Sequence, residues 1–487
     1  MKLRCFTALT VLVLAILLPP LGALICAVII TIQLALMALR PLLACQAAHS
    51  ASGARAPAGH WFSVHVATHA EPPGLVIATL RALLAQDWPP EGFEIIVMDN
   101  NTADPALWKP VERFCMAHPD RIRFLHRMQV SGAKAGALNI ALDHVDPRTT
   151  HVVTVDADYV VARDFLRRAA AALHRTGADY VQFPQSYSGA TIAAPGVDAE
   201  LEEYFRTNAA KADDAEAVLL TGTLCVISRA ALAAAGGWSG ATTTEDAELG
   251  VRLCNGGFSG RFINQVVGKG LLPLSLHDLE RQRYRWCSGN AQTLIRHARL
   301  IFTGAGSLTL ARRLVILSQL TAWFNLALAP FTLLCMWLLT GRGHTFAATL
   351  AGFAILLSLC DIVLRVLTRG WRDGLPARIV LHALACRTAL APQSAKATVD
   401  ALIGSRLTFI VTDKTGDKLR ASRDLHHCQL VLFVAATLLL AVSAPASPVI
   451  LAALAALMLP WPAALLTGRS LRAYRESVMP AMRETPA

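Results

Sequence analysis

Two apolar runs open the chain, Leu3 to Leu18 and Leu21 to Leu39, split by Pro19-Pro20; four more follow, at about 315–340, 345–367, 429–444 and 448–466. A helix needs roughly 20 apolar residues to cross a bilayer, with about 17 tolerated. The long polar stretch from Trp61 to Gly289 therefore has to fold on one face of a membrane, anchored before and after. The first run is short for a span. Read with the second as a helical hairpin, it puts Lys2, Arg4 and Arg40 on one side, and cations collect on the cytoplasmic side. A secretory signal is the rival reading. "LLAC" (Leu42 to Cys45) resembles a lipoprotein cleavage box, but it lies too deep, behind two apolar runs. Two spans before the polar stretch and four after it leave that stretch, the basic loop at 369–427 and the tail "GRSLRAYR" on the same face.

Composition agrees with this division. The chain is 54% hydrophobic and only 16% charged, with a mean hydropathy of +0.44, too apolar for an ordinary soluble protein. Lys and Arg (45) outnumber Asp and Glu (34), giving +11. In a membrane protein that excess belongs to cytoplasmic loops, so nucleic acid is not the expected partner. The eleven cysteines include no C-x-x-C pair, which argues against a zinc site or a disulfide framework. Asp361 and Arg365 lie in or near a span, one turn apart. Two readings stand: the residues pair toward a polar path, or both reach for the cytoplasmic interface.

The polar stretch has a different texture. "WFSVHVATHAE", "FEIIVMDNN", "RIRFLHR", "HVVTVDADYVV" and "ADYVQFP" read as strands, while Gly74 to Gln86 and Asp164 to His174 read as helices. Strands alternating with helices predict a doubly wound α/β domain with a mostly parallel sheet. Ligands of such sheets bind beyond the carboxyl ends of the strands. Asp99 ends one strand there, and Asp156 and Asp158 end another.

Three motifs carry chemistry. "VDAD" presents two carboxylates two residues apart, a pair able to hold a hard divalent cation and leave positions open for phosphate oxygens. Alone it is weak, since acids commonly end strands in solvated turns. "TTTEDAELG" sets Glu245 and Asp246 where a helix can begin, and helix capping explains acids in a first turn equally well. "LERQRYRWCSG" keeps the spacing Q-x-x-R-W at Gln282, Arg285 and Trp286 shortly before the chain turns apolar. A basic interfacial helix accounts for Arg281 and Arg283, which are read as anchors. It does not account for that spacing.

The ordered set Asp99, D-x-D, T-E-D (Thr244 to Asp246) and Q-x-x-R-W resembles the processive family 2 glycosyltransferases, the membrane synthases of cellulose, chitin, hyaluronan and related β-glycans. "FIVTDK" (Phe409 to Lys414) is similar to the gating-loop motif of bacterial cellulose synthases. The resemblance implies an α/β cytosolic GT-A-like (Rossmann-type nucleotide-sugar-binding) domain inserted between α-helical transmembrane segments. Its expected divisions are an N-terminal hairpin at 1–40, the glycosyltransferase domain at 41–290 and an interfacial amphipathic segment at 291–314. Transmembrane helices at 315–368, a cytosolic interfacial helix and gating loop at 369–427, transmembrane helices at 428–467 and a cytosolic tail at 468–487 follow.

The same resemblance implies roles by position. Thr68, Glu71 and Asp99 would receive the nucleotide, and Lys134 in "GAKAGALN" would contact it or its diphosphate. Asp156 and Asp158 would face the diphosphate and hold Mg²⁺ or Mn²⁺. Asp246 would be the general base; Gln282 and Arg285 would hold the leaving group. Trp286, with Glu245, would bind the acceptor sugar, and Thr412 and Lys414 would close over the nucleotide. The implied activity is inverting, processive transfer of a sugar, glucose from UDP-glucose first, to a growing β-glucan that crosses the bacterial inner membrane. The expected partners are a UDP-sugar, the growing polysaccharide and the lipid bilayer, with periplasmic or regulatory proteins beside them.

Two departures refine the expectation. "MDNN" and "THAEPP" stand where cellulose synthases usually read D-D-G and a T-Y-N-E-like turn. With "KAGALN" and "DADYVV" they look more like bacterial glucan synthases of the curdlan and cyclic-glucan kind. The chain does not run on into a cyclic di-GMP-binding PilZ domain, so control by that nucleotide is expected to need a partner. The alternatives are a synthase of cellulose, chitin or a hyaluronan-like chain, and a non-processive transferase acting on one lipid. The non-enzyme alternative, a transporter or receptor with a sensor domain, needs neither the acids nor Q-x-x-R-W.

Overall fold

The computed structural model describes residues 2–43, 59–341, 345–404, 427–442 and 447–484. "FIVTDK", with Thr412 and Lys414, lies outside the described residues.

The strands are β1 (Phe62–Thr68), β2 (Phe93–Asn100), β3 (Ile122–Arg127), β4 (His151–Thr154), β5 (Val160–Val161), β6 (Tyr180–Gln182), β7 (Cys225–Ser228), β8 (Gly260–Phe262) and β9 (Gly268–Lys269). Seven of them form one sheet in the order β3-β2-β1-β4-β7-β6-β8, and β5 pairs with β9 apart from it. β1 and β2 are buried along nearly their whole length because both faces of the sheet are covered, although Ser63, His65 and Thr68 break the apolar run of β1. Val64, Ile95, Phe165 and Phe183 pack on one face, and Val152, Ile227, Leu249 and Phe262 on the other. From β3 to β4 all neighbours are parallel. The register sets Thr68 beside Asp99, and Asp99 beside His126, at the carboxyl edge.

The sheet is a mixed one, because β7 runs antiparallel to both β4 and β6. Between β6 and β7 the chain makes a helical excursion through Ala190–Ala193, Pro195–Glu203 and Ala210–Asp213. It returns as a strand of only four residues, too short to stand out in the sequence. "HVVTVDADYVV" is likewise divided: β4 stops at Thr154, and Asp156 and Asp158 occupy the turn before β5.

Three helices are long and apolar enough to cross a membrane: Pro19–Leu42, Thr345–Arg372 and Pro448–Met479. Arg4–Leu17, Leu328–Thr340 and His427–Ala441 are shorter apolar helices. The run at 315–340 is shared between helices Leu310–Leu320 and Leu328–Thr340. The bend between them frees the Ala322 carbonyl, which accepts from Arg365 Nη1 at 2.7 Å and Arg387 Nη2 at 2.8 Å.

Those arginines belong to a buried ion-pair lattice that joins the sheet domain to the apolar helices. Arg283, expected as an interfacial anchor, is corrected here. Its side chain is only 2% exposed and donates to both carboxylate oxygens of Glu200, at 2.9 and 2.7 Å. Its guanidinium lies 3.9 Å from the Trp323 ring centroid. Leu279, Arg283 and Cys287 recur every fourth residue and form the buried stripe of helix Leu276–Arg296, whereas Arg281 points outward. Arg387 pairs with Glu203 at 2.9 Å and Arg365 with the same carboxylate at 3.2 Å. Asp361 pairs with Arg40 and lies 4.0 Å from Arg365. The two residues thus sit within a larger lattice, where removing one partner strands a buried charge.

Candidate active site

Most of the expected site residues lie at element ends. Thr68, Asp99 and His126 close β1, β2 and β3, and in-register neighbours place them side by side. Asp99 Oδ2 accepts from the Thr68 and Thr102 hydroxyls, both at 2.9 Å, and Oδ1 from His126 Nδ1 at 2.8 Å. The turn after β1 carries Ala70 at φ 51° and half-buried Glu71; the turn after β2 carries Asn101 at φ 56°. These left-handed turns lock together, since the Ala70 N–H donates to Thr102 Oγ1 at 2.9 Å.

Lys134 lies in the first turn of helix Ala133–Leu142 and reaches across the carboxyl ends of the strands. Its Nζ donates to Asp156 Oδ1 and, at 2.8 Å, to the Gly222 carbonyl. Burial opposes its charge, but Asp156, Glu245 and Asp246 outweigh that, and its pKa is raised. Asp156 and Asp158 are both half-exposed, while Ala157 between them is buried. Among the described residues no group of three or more His, Cys, Asp or Glu is gathered for a metal. Two half-exposed hard carboxylates two residues apart fit a divalent cation whose other positions go to phosphate oxygens and water.

Asp246 stands opposite Lys134. Helix Glu245–Asn255 begins there, and Asp246 Oδ1 accepts from the Ala247 N–H at 2.8 Å. Burial and the neighbouring Glu245 push the Asp246 pKa up to about 7, against Lys134, the Ala247 N–H and Arg285. The capping account of this stretch fits poorly at Thr244, which makes no side-chain cap bond and whose Oγ1 has no partner among the described residues. It fits Glu248 no better, since that carboxylate pairs with Arg252 Nε at 2.8 Å and His297 Nε2 at 3.0 Å. Gly222 lies between Asp246 and Lys134. A Cβ there would lie 2.7 Å from Asp246 Oδ2 and 3.3 Å from Lys134 Nζ, and φ is +80°.

Gln282, Arg285 and Trp286 share one face of helix Leu276–Arg296 by their three- and four-residue spacing. Gln282 Oε1 is buried without a partner among the described residues. The helix is docked on the T-T-T-E-D loop: Thr243 N donates to Gln292 Oε1 at 3.1 Å, and Thr243 Oγ1 to the Arg285 carbonyl at 3.3 Å. Gly289 permits this approach, since a Cβ would meet Thr244 side-chain atoms at 2.6 Å. Trp286 faces Trp323 at 5.7 Å between ring centroids. Asp246, Trp286, Trp323, Tyr204, Tyr187 and Gln185 line an open space of about 500 Å³. Sequence reasoning missed Gly222, Tyr204, Gln185 and Trp323. "TGT" after an apolar run was a usable signal for Gly222; a tryptophan within an apolar stretch gave none for Trp323.

Comparison with known families fits this geometry. The model described as "Glycosyl transferase family 2" matches residues 63–235, and "Glycosyl transferase family group 2" matches 151–362. The chain belongs to glycosyltransferase family 2. This glycosyltransferase is 28% identical over 268 residues to the cellulose synthase catalytic subunit (UDP-forming) of Xanthomonas axonopodis pv. citri (strain 306), covering 54% of this chain and 35% of that one. It is 29% identical over 221 residues to glucomannan 4-beta-mannosyltransferase 2 of Arabidopsis thaliana, covering 44% and 41%. The matched part is thus well under half the length of either relative. Among solved structures, a mannosyltransferase from Pyrobaculum calidifontis in complex with GDP-Man and Mn²⁺ has a TM-score of 0.53 at 18% identity, covering 79% of this chain and 100% of that one. That likeness concerns the fold.

Proposed function

We propose that this glycosyltransferase transfers a sugar, glucose from UDP-glucose, with inversion to a growing β-glucan and passes the product across the bacterial inner membrane. The observation that carries the reading is Asp246, a half-buried carboxylate with a raised pKa, open to the same space as Trp286 and flanked by Lys134. The acceptor hydroxyl attacks the anomeric carbon as the bond to the diphosphate oxygen breaks, and Asp246 takes the hydroxyl proton. One base and no nucleophile give one inversion, so an α-linked donor yields a β-linked product. Thr68, Glu71 and Asp99 receive the nucleotide; Lys134, Gln282 and Arg285 hold the diphosphate; Trp286 and Glu245 face the acceptor sugar. A divalent cation, Mg²⁺ or Mn²⁺, held by Asp156 and Asp158 would supply charge neutralisation at the departing diphosphate. The Mn²⁺ in the archaeal mannosyltransferase supports that dependence. Thr412 and Lys414 complete the proposal as the lid over the nucleotide. The catalytic domain faces the cytoplasm, where nucleotide sugars are made.

A second reading, mannose as the transferred sugar, is favoured by the glucomannan mannosyltransferases among the relatives. Membranes carrying the protein, fed separate radiolabelled UDP-glucose and GDP-mannose with Mg²⁺ or Mn²⁺, decide between them through linkage analysis of the product. A β-linked glucan from UDP-glucose is expected. Product from GDP-mannose alone replaces the donor, and no product from any nucleotide sugar ends the transfer reading.

A further inference from the structure

Asp99 is held more tightly than a base-contacting acid needs to be. A carboxylate only accepts hydrogen bonds, along roughly four lone-pair directions. Thr68 and Thr102 occupy Oδ2, each at 2.9 Å, and His126 Nδ1 takes one direction of Oδ1 at 2.8 Å. None of the three donors is free to turn away. Thr68 is fixed by strand register beside Asp99. Thr102 Oγ1 is itself held by the Ala70 N–H at 2.9 Å. His126 lies against Trp108, ring centroids 4.3 Å apart and planes 16° from parallel. Asp99 is 4% exposed, so water does not compete freely for the direction that remains.

We propose that this near-saturation, which leaves one acceptor direction on Oδ1, makes the site select a base with one ring N–H, uracil or thymine, against guanine, and that His126 and Thr102 are the positioning residues of that selection. The proposal rests on the reading that Asp99 meets the nucleotide base. Uracil presents one N–H between two carbonyls and needs one acceptor direction. Guanine presents its ring N–H beside an amino N–H, a pair best met by two free carboxylate oxygens. Here Oδ2 is full, so one guanine donor is buried unmet, and an unmet buried donor is costly. Cytosine and adenine turn a ring-nitrogen lone pair toward the carboxylate and are repelled. A site built to satisfy one pattern of donors discriminates against the other more strongly than shape alone does.

The test is binding of free UDP and GDP to the full-length chain in detergent, by titration calorimetry with Mg²⁺ present. UDP should bind tighter by about tenfold or more, the scale of one lost hydrogen bond to a charged group. His126→Phe keeps a ring against Trp108 and removes the donor; Thr102→Val removes the hydroxyl and keeps the shape. Each should narrow the UDP-to-GDP ratio by about fivefold, whereas His126→Asn, which retains an N–H near the Nδ1 position, should preserve most of it. GDP binding as tightly as UDP in the parent overturns the proposal. So do variants that weaken both nucleotides equally, since a merely structural role leaves the ratio alone. If His126→Phe does not fold, the parent and Thr102→Val still decide. The transfer reading fails separately, as absence of product from a chain that still prefers UDP.

Discussion

The proposed nucleotide edge, at Asp99, and the proposed transfer centre, at Asp246, belong to one sheet domain and obey different rules. At the edge, both Asp99 oxygens are engaged by donors from adjacent strand ends and the turn beyond. At the centre, Asp246 receives one backbone N–H, with Glu245 beside it and Lys134 across Gly222. A saturated carboxylate has a fixed shape and suits recognition. A buried carboxylate short of donors binds its proton more tightly, and its pKa moves toward the pH at which a general base works best. The contrast recurs within one helical turn. Glu248 is also buried, and burial alone would raise its pKa, but His297 and Arg252 hold it below the usual range. Two acids two residues apart in the helix-forming stretch "EDAE" thus differ: Glu248 fastens the helix, and Asp246 is left able to accept a proton.

The largest expected effect comes from removing that ability. Asp246→Asn keeps the shape and should reduce transfer by about 10²–10⁴-fold while UDP affinity changes little. Product formation and calorimetric binding measured on the same preparation check it, and transfer equal to the parent's removes Asp246 from the mechanism. Gly222→Ala should come next. The new Cβ would sit 2.7 Å from Asp246 Oδ2 at a backbone φ of +80°, so the base or the loop has to move. A fall in kcat on the order of 10- to 100-fold, with a smaller change in KM, is expected for a misplaced base. At the other region, Thr68→Val removes one of three donors to Asp99. It should act mainly on donor KM, by about fivefold, and leave kcat nearly intact. A kcat defect there as large as that of Gly222→Ala would erase the distinction between the two regions.

How much of this was legible in the sequence follows the same division. The parallel half of the sheet was readable because β1 is a long, mostly buried strand and β2 an apolar run that reaches Asp99 at its end. β7 was not, since four residues after a helical excursion leave no periodicity to read. Asp246, Lys134 and the D-x-D pair were found through motifs, and the structure brings Asp246, Lys134 and Asp156 together beside Gly222. Glu71 lies on the turn after β1, in the nucleotide edge with Thr68 and Asp99, while Thr412 and Lys414 fall outside the described residues. His126 and Thr102 were missed because their importance lies in register: neither belongs to a motif, and only the alignment of neighbouring strand ends brings His126 to Asp99. Arg283 was misread for a related reason. A cation two residues from Arg285 looks like part of a basic surface until helix rotation turns it inward to Glu200.

The finest test of the comparison is a pH profile. Burial and then Glu245 raise the Asp246 pKa, to about 7, while Lys134, the Ala247 N–H and Arg285 pull it down. The base accepts a proton only when ionised, so kcat/KM should rise with pH and reach half its plateau near 7. Glu245→Gln removes the second-largest cause of the upward shift. Losing a negative neighbour makes Asp246 easier to ionise, so the inflection should move to lower pH, by roughly half a unit to one unit. At pH values just below the parent's inflection the variant should therefore retain a larger fraction of its own plateau. The plateau itself can fall, since Glu245 also faces the acceptor side in the proposed reaction; the position of the inflection is the quantity that decides. Glu248→Gln is the matched control on the same helix, because Glu248 is not among the largest influences on Asp246 and its carboxylate is paired with Arg252 and His297. It should lower thermal stability through the lost Arg252 and His297 bonds and leave the inflection in place. If Glu245→Gln and the parent give superimposable profiles, or if Glu248→Gln shifts the profile as far, then the titrating group is not Asp246 and the transfer centre is not built on an under-satisfied acid.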